Sequence, residues 1–321
     1  MKIGIVAYKN CTASMIIGMF DILSLANKKV QGNKKPLFEI TIVTEDGKPV
    51  ESFTGYPVVP GASIQSEPPF DLIYVPGFLA EPLEIISGEL NTIAWLRNQH
   101  KKGITLTAAC NGNLLLAEAG VLTGKYATTH WSLKDFFEKR YPAIHLKPEQ
   151  IVVDEGDVIS AAGVTAYANL ALYLVSKFGT MEIALYCSKI FLIDSGRKIQ
   201  TPYMIFSSPK NHGDEAIKKG QEWIEMNYEK PITLELLLQE LALGRRTFIR
   251  RFKKATGDTP LEYLQRVRIE NAKRYLETTS KTFSEITWDV GYQDISSFQR
   301  LFKANTRLTP GEYRNKFTLV A

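Results

Sequence analysis

Two sets of side chains in this sequence have types and spacings that could do chemistry. In the first, Cys110 stands in a run of small residues, 108–112, and His130 follows it by twenty positions. A thiol at a sharp turn from a strand into a helix can act as a nucleophile, with a histidine as its base, and the helix dipole would lower the pKa of the thiol. A buried cysteine is more often a small apolar side chain than a nucleophile, so both interpretations stay open.

The second set is a repeat in the last third of the chain. Residues between Phe248 and Tyr263 recur 50 positions later, which predicts one supersecondary unit used twice. Its two phenylalanines, four residues apart, would face the core and leave basic side chains on the other faces of a helix. The repeated residues are Phe248, Arg250, Phe252, Lys253, Thr256, Thr259, Pro260, Glu262 and Tyr263, matched by Phe298, Arg300, Phe302, Lys303, Thr306, Thr309, Pro310, Glu312 and Tyr313.

Each copy of the repeat has the pattern of a helix-turn-helix: a short helix, a tight turn near a glycine and a second helix with a basic face. The second helix of such a unit lies in the major groove of DNA. The alternative is a helical interaction module with a solvated basic face. The predicted elements are helices at 234–241 and 245–254 with a turn at 242–244, a joining helix from 260 to about 277, and helices at 282–290 and 295–304 with a turn at 291–292.

The exposed faces of the two second helices supply candidate contacts to double-stranded DNA. Arginine can bond guanine with two donors, whereas Ser, Thr and Gln bond bases more loosely, and phosphate contacts add affinity without sequence information. Because the two faces differ, we expect an asymmetric, direct-repeat-like site. The base-edge candidates are Arg246, Ile249 and Arg250 in the first copy and Ser296, Ser297, Gln299 and Arg300 in the second; the phosphate candidates are Arg251, Lys253, Lys254 and Lys303.

Length and charge are consistent with a two-domain protein that binds an anionic partner. The 321 residues are many for one domain, and the net charge of +5 comes from residues 210–321, which carry 20 Lys and Arg against 15 Asp and Glu. No apolar run is long enough to span a bilayer, and the first residues lack a signal-peptide pattern. Three scattered cysteines fit a reducing compartment. We therefore expect a cytoplasmic protein with no membrane partner, metal or cofactor.

Strands alternate with helices over residues 1–193, which predicts an α/β domain with a largely parallel sheet. Sites in such sheets form at the carboxyl ends of the strands, where Cys110 lies. Residues 194–213, with two prolines and two glycines, are predicted as a linker to an all-α domain at 214–321. Within the first domain the pattern predicts strands at 2–8, 38–44, 71–75 and 103–109, a hairpin with its turn at 154–157, and a single helix over 83–100.

Residues 1–193 resemble the PfpI/ThiJ-like branch of the class I glutamine-amidotransferase-like superfamily. The similarity lies in KIGIVAY, DLIYVPG, GITLTAACNGNLLLAEAGVLTGKYATTHW and VISAAGVTAYANLALYLV. It implies a flavodoxin-like α/β sandwich with Cys110 at the elbow and His130 nearby. Active members usually place a Glu on the first helix to hydrogen-bond the cysteine, and the matching position here is Met15. The resemblance therefore favours a non-catalytic domain with a ligand pocket at Met15, Cys110, Asn111 and His130.

Residues 214–321 resemble the DNA-binding domain of the AraC/XylS family, most clearly in SEITWDVGYQDISSFQRLFKANTRLTPGEYR. The stretch GRKIQTPY before them is similar to the linker found where an amidotransferase-like domain is fused to an AraC-type domain. Two departures matter here. Gly244 stands where a Ser cap is usual, so the second helix of the first copy is expected to be less well capped. Arg307 stands where Gly is usual.

Together these observations predict a sequence-specific DNA-binding transcription regulator, with activation favoured over repression. Its N-terminal domain would respond to a small molecule, a redox signal or a partner, and the chain would form a homodimer. The alternative is a cysteine hydrolase or amidase, with Cys110 as nucleophile and His130 as base, fused to a DNA-binding module. An acid within hydrogen-bond reach of Cys110 would favour the enzyme.

Overall fold

A seven-stranded sheet forms the centre of the first of the two units into which the chain divides, Met1–Gln200 and Thr201–Ala321. The computed structural model describes residues 1–30, 35–66, 68–241 and 243–318. None of the helices in these ranges is long and apolar enough to cross a membrane. The predicted order, an α/β fold followed by an all-helical region, is confirmed.

The strands of the first unit are short and mostly apolar, as expected where a parallel sheet is covered on both faces. In chain order they are β1 (Lys2–Val6), β2 (Glu39–Thr44), β3 (Val50–Glu51), β4 (Pro57–Val58), β5 (Ala62–Ser63), β6 (Leu72–Val75), β7 (Thr105–Ala109), β8 (Tyr126–Ala127), β9 (His145–Leu146), β10 (Val152–Asp154) and β11 (Val158–Ala161). Every residue of β6 and β11 is buried. These strands therefore supply the apolar middle of the unit.

The strand order places the end of β7 towards the middle of the sheet. The order is β10-β11-β7-β6-β1-β2-β5, and every neighbouring pair is parallel except the predicted hairpin of β10 and β11. Strand β7 pairs with β6 through Ala108 and Val75. Because parallel strands end at the same edge, Cys110 after β7 lies beside Pro76 and Gly77 after β6. This edge is where a site in such a sheet is expected.

Two groups of helices cover the sheet. Helices α1, α6 and α7 pack against one another, and α2, α3 and α4 form the other group. The first group carries apolar stripes at helical spacing, such as Met15, Met19, Ile22 and Ala26 on α1. The helices of the unit are α1 (Ala13–Lys29), α2 (Pro82–Gly88), α3 (Leu90–Lys101), α4 (Asn113–Glu118), α5 (Lys134–Arg140), α6 (Ala166–Phe178) and α7 (Met181–Ile190).

The single helix predicted over residues 83–100 is wrong, because two helices occupy this range. Helix α2 ends at Gly88, and Glu89 has the non-helical angles φ −110° and ψ 28° before α3 begins. Two of the apolar residues that suggested one continuous stripe, Leu83 and Leu90, are exposed. Glycine is a poor helix former, and because α2 ends at Gly88, this residue does not have to be held inside a longer helix.

The second unit contains seven α-helices in the residues described. They are α8 (Glu215–Asn227), α9 (Leu234–Leu241), α10 (Arg245–Thr256), α11 (Pro260–Thr278), α12 (Phe283–Asp289), α13 (Ile295–Thr306) and α14 (Pro310–Phe317). Helix α10 packs on α8 and α9, and α12 packs on α11 and α13. Ala242, which the sequence places in the first turn, lies outside the described residues.

The repeated residues build the same local structure twice. Thr259 caps α11 and Thr309 caps α14, each in a reciprocal capping box with the glutamate three residues later. Pro follows the cap in both copies, in the first turn where its missing N–H costs nothing. The four repeated phenylalanines are fully buried. Most of the side chains that recur at 50-residue spacing therefore hold the fold, whereas the recurring arginine and lysine, at 250 and 253 and at 300 and 303, are exposed.

The residues just before α8 pack on the second unit as a strap, Tyr203–Lys210. Lys273 of α11 donates to the Met204 carbonyl oxygen at 2.5 Å, and the Phe206 ring packs edge-on against Tyr263 at 5.4 Å. Ser208 hydrogen-bonds Tyr263, and Lys210 forms an ion pair with Glu225 at 2.7 Å. Most of the predicted linker's second half is therefore held in the helical unit.

Candidate DNA-binding surface and cysteine elbow

Helix α10 presents a row of basic side chains on the face opposite its buried phenylalanines. Arg246, Arg250 and Lys253 are exposed and stand at positions i, i+4 and i+7, so they lie along one side of the helix. Ile249 is half-buried at the edge of this row. Together with Arg245 and Lys254 these residues line a shallow open concavity of about 640 Å³. Phosphate or a base edge could occupy such a surface because all but one of its described lining residues are basic and none is acidic.

Helix α13 presents the equivalent row, with Ser296 in place of Arg246. Ser296, Arg300 and Lys303 are exposed at i, i+4 and i+7, and Gln299 is exposed beside them, whereas Ser297 is half-buried. The structure thus places three of the predicted DNA-contacting residues of each copy in an exposed row, with Ile249 and Ser297 at its edges. Arg250 and Arg300 occupy equivalent places on the two faces.

The two faces begin at differently capped helix ends. Asp294 caps α13 by accepting a hydrogen bond from the Ser297 amide at 3.0 Å, while Gly244, at the start of α10, has no side chain that could do this. Helix α10 therefore lacks a side-chain cap, as expected from Gly244.

Arg251 does not belong to the exposed basic face, contrary to the expectation that it contacts phosphate. Its guanidinium donates two hydrogen bonds to the carboxylate of Asp214, at 2.6 and 2.9 Å. Asp214 in turn caps α8 by accepting from the Ile217 amide. The pKa of Asp214 is lowered by the hydrogen bond from Arg251. Arg251 therefore joins α10 to the start of α8. It follows Arg250 in the sequence, but its side chain lies on a different face of α10 from the exposed row.

The elbow predicted at Cys110 has the expected backbone shape. Strand β7 ends at Ala109, a short 3-10 turn spans Cys110–Gly112, and α4 follows at once. Cys110 has a φ of +58°, a conformation that costs energy for any residue with a Cβ. Gly112 has no room for a side chain, since a Cβ there would lie 2.4 Å from the Pro76 carbonyl oxygen. The sharp turn is therefore formed by close approach to the end of β6.

The expectation that the helix dipole lowers the pKa of the thiol is wrong. Burial raises the pKa of Cys110 to about 11, and a hydrogen bond from the Asn111 amide offsets only part of this. The side chain is 4% exposed. A thiol in this state is protonated at neutral pH and is a poor nucleophile.

Met15, Asn111 and Gly77 surround the thiol on the side towards β6. Met15 is fully buried, and its sulfur lies 3.3 Å from the Gly77 amide. A Cβ built on Gly77 would lie 3.0 Å from the Cys110 Cβ and 2.8 Å from the Asn111 Oδ1, so these groups meet around a single glycine. The Asn111 amide is held by the Phe78 backbone through two hydrogen bonds of 2.7 Å. The predicted members of the pocket other than His130 are thus close together.

His130 is oriented by a hydroxyl rather than by an acid. Its Nδ1 lies 2.7 Å from the Ser132 Oγ, and burial lowers the pKa of the imidazole. Within the described parts of the chain, neither His130 nor any carboxylate hydrogen-bonds the Cys110 thiol, although Thr129 donates to the Cys110 carbonyl oxygen at 2.9 Å. The nucleophile–base hydrogen bond expected of the enzyme alternative is therefore not formed in this structure.

Metal binding finds no support in the same ranges. Among residues 1–30, 35–66, 68–241 and 243–318, no three His, Cys, Asp or Glu side chains are grouped so that they could hold a metal ion. Cys11, Cys110 and Cys187 are all buried free thiols.

Two family models match the chain. Residues 237–316 match the model of a helix-turn-helix domain, a range that includes both α10 and α13. Residues 30–177 match the DJ-1/PfpI family, a range that includes Cys110 and His130. The chain thus carries a DJ-1/PfpI domain and, after it, a helix-turn-helix domain of the AraC type.

Similar proteins agree with this assignment over most of the chain. The HTH-type transcriptional regulator CdhR of Pseudomonas aeruginosa is 29% identical over 288 residues, which are 89% of this chain and 84% of CdhR. The HTH-type transcriptional regulator GbdR of the same species is 23% identical over 317 residues, 98% of this chain and 84% of GbdR. An isonitrile hydratase of Pseudomonas putida is 28% identical over 184 residues, which are 57% of this chain and 75% of the hydratase.

Solved structures share the fold of the α/β unit. An AraC family transcriptional regulator from Pseudomonas putida superposes with a TM-score of 0.52 at 23% identity, and covers 59% of this chain and 98% of its own. A ThiJ/PfpI family protein from Pseudomonas syringae gives a TM-score of 0.52 at 24% identity, and covers 75% of this chain and 90% of its own.

Sequence reasoning missed one residue of the AraC-type domain that joins its two copies. Arg268 of α11 donates to the carbonyl oxygens of Tyr228 and Lys230, at 2.8 and 2.9 Å, and its guanidinium lies 5.1 Å from the centre of the Tyr292 ring. Tyr228 and Lys230 lie in the segment between α8 and the first copy's α9, whereas Tyr292 belongs to the turn of the second copy. A signal was available, because an arginine at position i+4 from Leu264 interrupts the buried stripe of α11.

Proposed function

We propose that this AraC-type regulator reads duplex DNA with the exposed faces of α10 and α13. The observation that carries the proposal is the repetition of one exposed row at 50-residue spacing, with Arg250 and Arg300 at equivalent places. A single basic helix face is common on solvated helices, but two with the same buried frame and the same arginine are expected where both enter a groove. The names of CdhR and GbdR describe those relatives as transcriptional regulators and support the same role here.

The DNA site should be asymmetric within one chain. Arg246 and Ile249 stand where the second copy has Ser296 and Gln299, so the two faces offer different donors and different apolar surface to the base edges. Lys253 and Lys303 occupy equivalent places and suit phosphate in both copies. Two dissimilar half-sites in the same orientation follow from this difference.

The DJ-1/PfpI unit acts as a sensor rather than an enzyme in this proposal. The support is the environment of Cys110: a raised pKa, Met15 in place of an acid, and a histidine that hydrogen-bonds Ser132 instead of the thiol. The Met15, Cys110, Asn111 and His130 set is assigned to a ligand. The regulator works in the cytoplasm as a homodimer and activates transcription more readily than it represses it.

Selection from a random duplex library with the full chain tests the DNA-reading proposal. We expect one enriched site with two unequal half-sites, bound much more tightly than a scrambled duplex. Plotted against the logarithm of salt concentration, log K should fall linearly, with a slope of about −0.9 for each phosphate contacted. Fluorescence anisotropy at several salt concentrations measures both quantities. Equal affinity for the selected and scrambled duplexes would overturn sequence-specific reading.

A second candidate function, cysteine-dependent hydration or hydrolysis, is favoured only by the similarity to an isonitrile hydratase. The test is turnover of isonitriles, amides and esters by the full chain, with Cys110→Ser as the matched variant. We expect no turnover above that of Cys110→Ser. Turnover that disappears on this substitution would establish an enzyme and would leave the DNA-reading proposal untouched.

A further inference from the structure

A groove in the α/β unit lies away from the cysteine elbow. It is lined by residues of α6 and α7, by residues 150–152 at the start of β10, and by residues of the segment Ser195–Ile199. Its volume of about 580 Å³ falls within the range usual for small-molecule sites. None of its lining residues belongs to the Met15, Cys110, Asn111 and His130 set.

The segment Ser195–Ile199 is fixed by backbone and side-chain hydrogen bonds. The Ile151 amide donates to the Lys198 carbonyl oxygen at 2.9 Å, so this segment pairs with the chain just before β10. The Arg197 guanidinium donates to the Asn169 Oδ1 at 2.6 and 3.0 Å and to the Thr165 Oγ1 at 3.0 Å. The groove is therefore preformed, and its arginine is already oriented, which lowers the entropy cost of binding a ligand.

The lining combines an apolar body with positive charge. Leu172, Ala184 and Leu185 are among the apolar residues, and Arg197 and Lys198 supply two cations. Among the residues that the structure describes, no aspartate or glutamate lines the groove. Leu185 is 44% exposed, so part of the apolar surface faces water when the groove is empty. Burying that surface and pairing a carboxylate with the exposed Lys198 ammonium would both favour binding, and the positive charge of Arg197 nearby adds to the attraction.

We propose that this groove is a second small-molecule site, for an organic anion with an apolar body such as an aliphatic or aromatic carboxylate. The carboxylate lies at the Arg197 and Lys198 end, and the apolar body lies against α6 and α7. The site does not depend on DNA reading, so either proposal can fail without the other.

Calorimetric titration of the full chain tests the site with octanoate, phenylbutyrate and the neutral octanamide. We expect one molecule of carboxylate per chain and binding about tenfold tighter than the amide, the contribution of one charge-assisted contact. Lys198→Glu should remove this preference and leave amide binding unchanged. Equal affinity for octanoate and octanamide in the parent chain, or no binding of either carboxylate, would overturn the proposal.

Two matched variants locate the binding. Leu185→Asp puts a negative charge, of the same sign as that of octanoate, in the groove and should weaken octanoate binding more than tenfold. Leu192→Asp makes the same chemical change at a residue that is 90% exposed and outside the lining, and should leave binding unchanged. Equal effects of the two variants would sink the assignment. A change of oligomeric state in Leu185→Asp, measured by sedimentation, would show instead that this face binds a second copy.

Discussion

The two helix-turn-helix copies have the same interior and different surfaces. Phe248 and Phe252 in the first copy and Phe298 and Phe302 in the second are fully buried, and both rows of exposed residues occupy the same helix face. The surfaces differ at the equivalent positions 246 and 296, which are Arg in the first copy and Ser in the second. The repeat therefore preserves the buried side chains and one exposed arginine, Arg250 or Arg300, and varies the exposed side chains beside that arginine.

The copies also differ in how their second helices start and stop. Helix α13 has a side-chain cap at Asp294, but its C-terminal residue in the left-handed region is Arg307, with φ +63°. Helix α10 lacks the side-chain cap, but its left-handed residue is Gly257. The second helix of each copy is therefore favourable at one end and less favourable at the other.

The largest expected effect is on DNA binding. Arg250→Ala and Arg300→Ala should each cost about 1–3 kcal/mol for the selected site, if both arginines bond guanine. The two variants should relax sequence preference at different positions of the site, because they belong to different copies. Anisotropy titrations with the selected duplex and with singly substituted duplexes measure this.

A matched control is Arg251→Ala, because its guanidinium bonds Asp214 instead of facing outward. It should lower thermal stability and leave base preference unchanged. If Arg250→Ala and Arg300→Ala both bind as the parent chain does, the assigned faces do not meet DNA.

A smaller effect is expected from the repeated tyrosines. The Tyr263 hydroxyl donates to Glu225 at 2.6 Å and also meets Gln221 and Ser208, whereas the Tyr313 hydroxyl donates to Glu277 at 2.7 Å. Tyr263→Phe should therefore cost more, roughly 2 kcal/mol of unfolding free energy against roughly 1 for Tyr313→Phe. Urea denaturation measures the difference. A larger loss for Tyr313→Phe would contradict the assignment of the strap to the first copy's core.

The smallest effect concerns the left-handed residues. Arg307→Gly should stabilise the chain by about 0.5–1 kcal/mol, because glycine adopts this conformation without steric cost. Gly257→Ala should destabilise it by about 1 kcal/mol, since open space surrounds Gly257 and only the backbone is affected. Thermal unfolding of the two single variants gives both signs. A destabilised Arg307→Gly would show that the arginine side chain contributes more than its backbone costs.

Much of the fold could be predicted from the sequence because it is encoded in local patterns. The alternation of strands and helices, the capping threonines Thr259 and Thr309 and the paired phenylalanines all act within a few residues of themselves. The break at Glu89 was missed because an apolar spacing of helical period continued across it. The exposed row on α10 was predicted because exposure follows directly from helix period once the buried face is known.

What the sequence could not give was set by contacts between distant residues. The pKa of Cys110 depends on burial by neighbours far along the chain, including Met15 and Gly77, and not on its own helix alone. Arg251 was misassigned for the same kind of reason, since its partner Asp214 lies 37 residues away. Charge and local spacing suggested that it was free for DNA, and only packing shows that it is engaged.

The strap has a consequence for any exchange of sensor units between regulators. Lys273 is buried and relies on the Met204 carbonyl oxygen and on Glu270, and Tyr263 relies on Ser208. A chimera joined at residue 213 would supply these partners from a foreign sequence and leave a buried ammonium without its carbonyl. A junction after Gln200 keeps them. The transferable DNA-reading module of this chain therefore begins before its first long helix, with residues that a motif search assigns to neither domain.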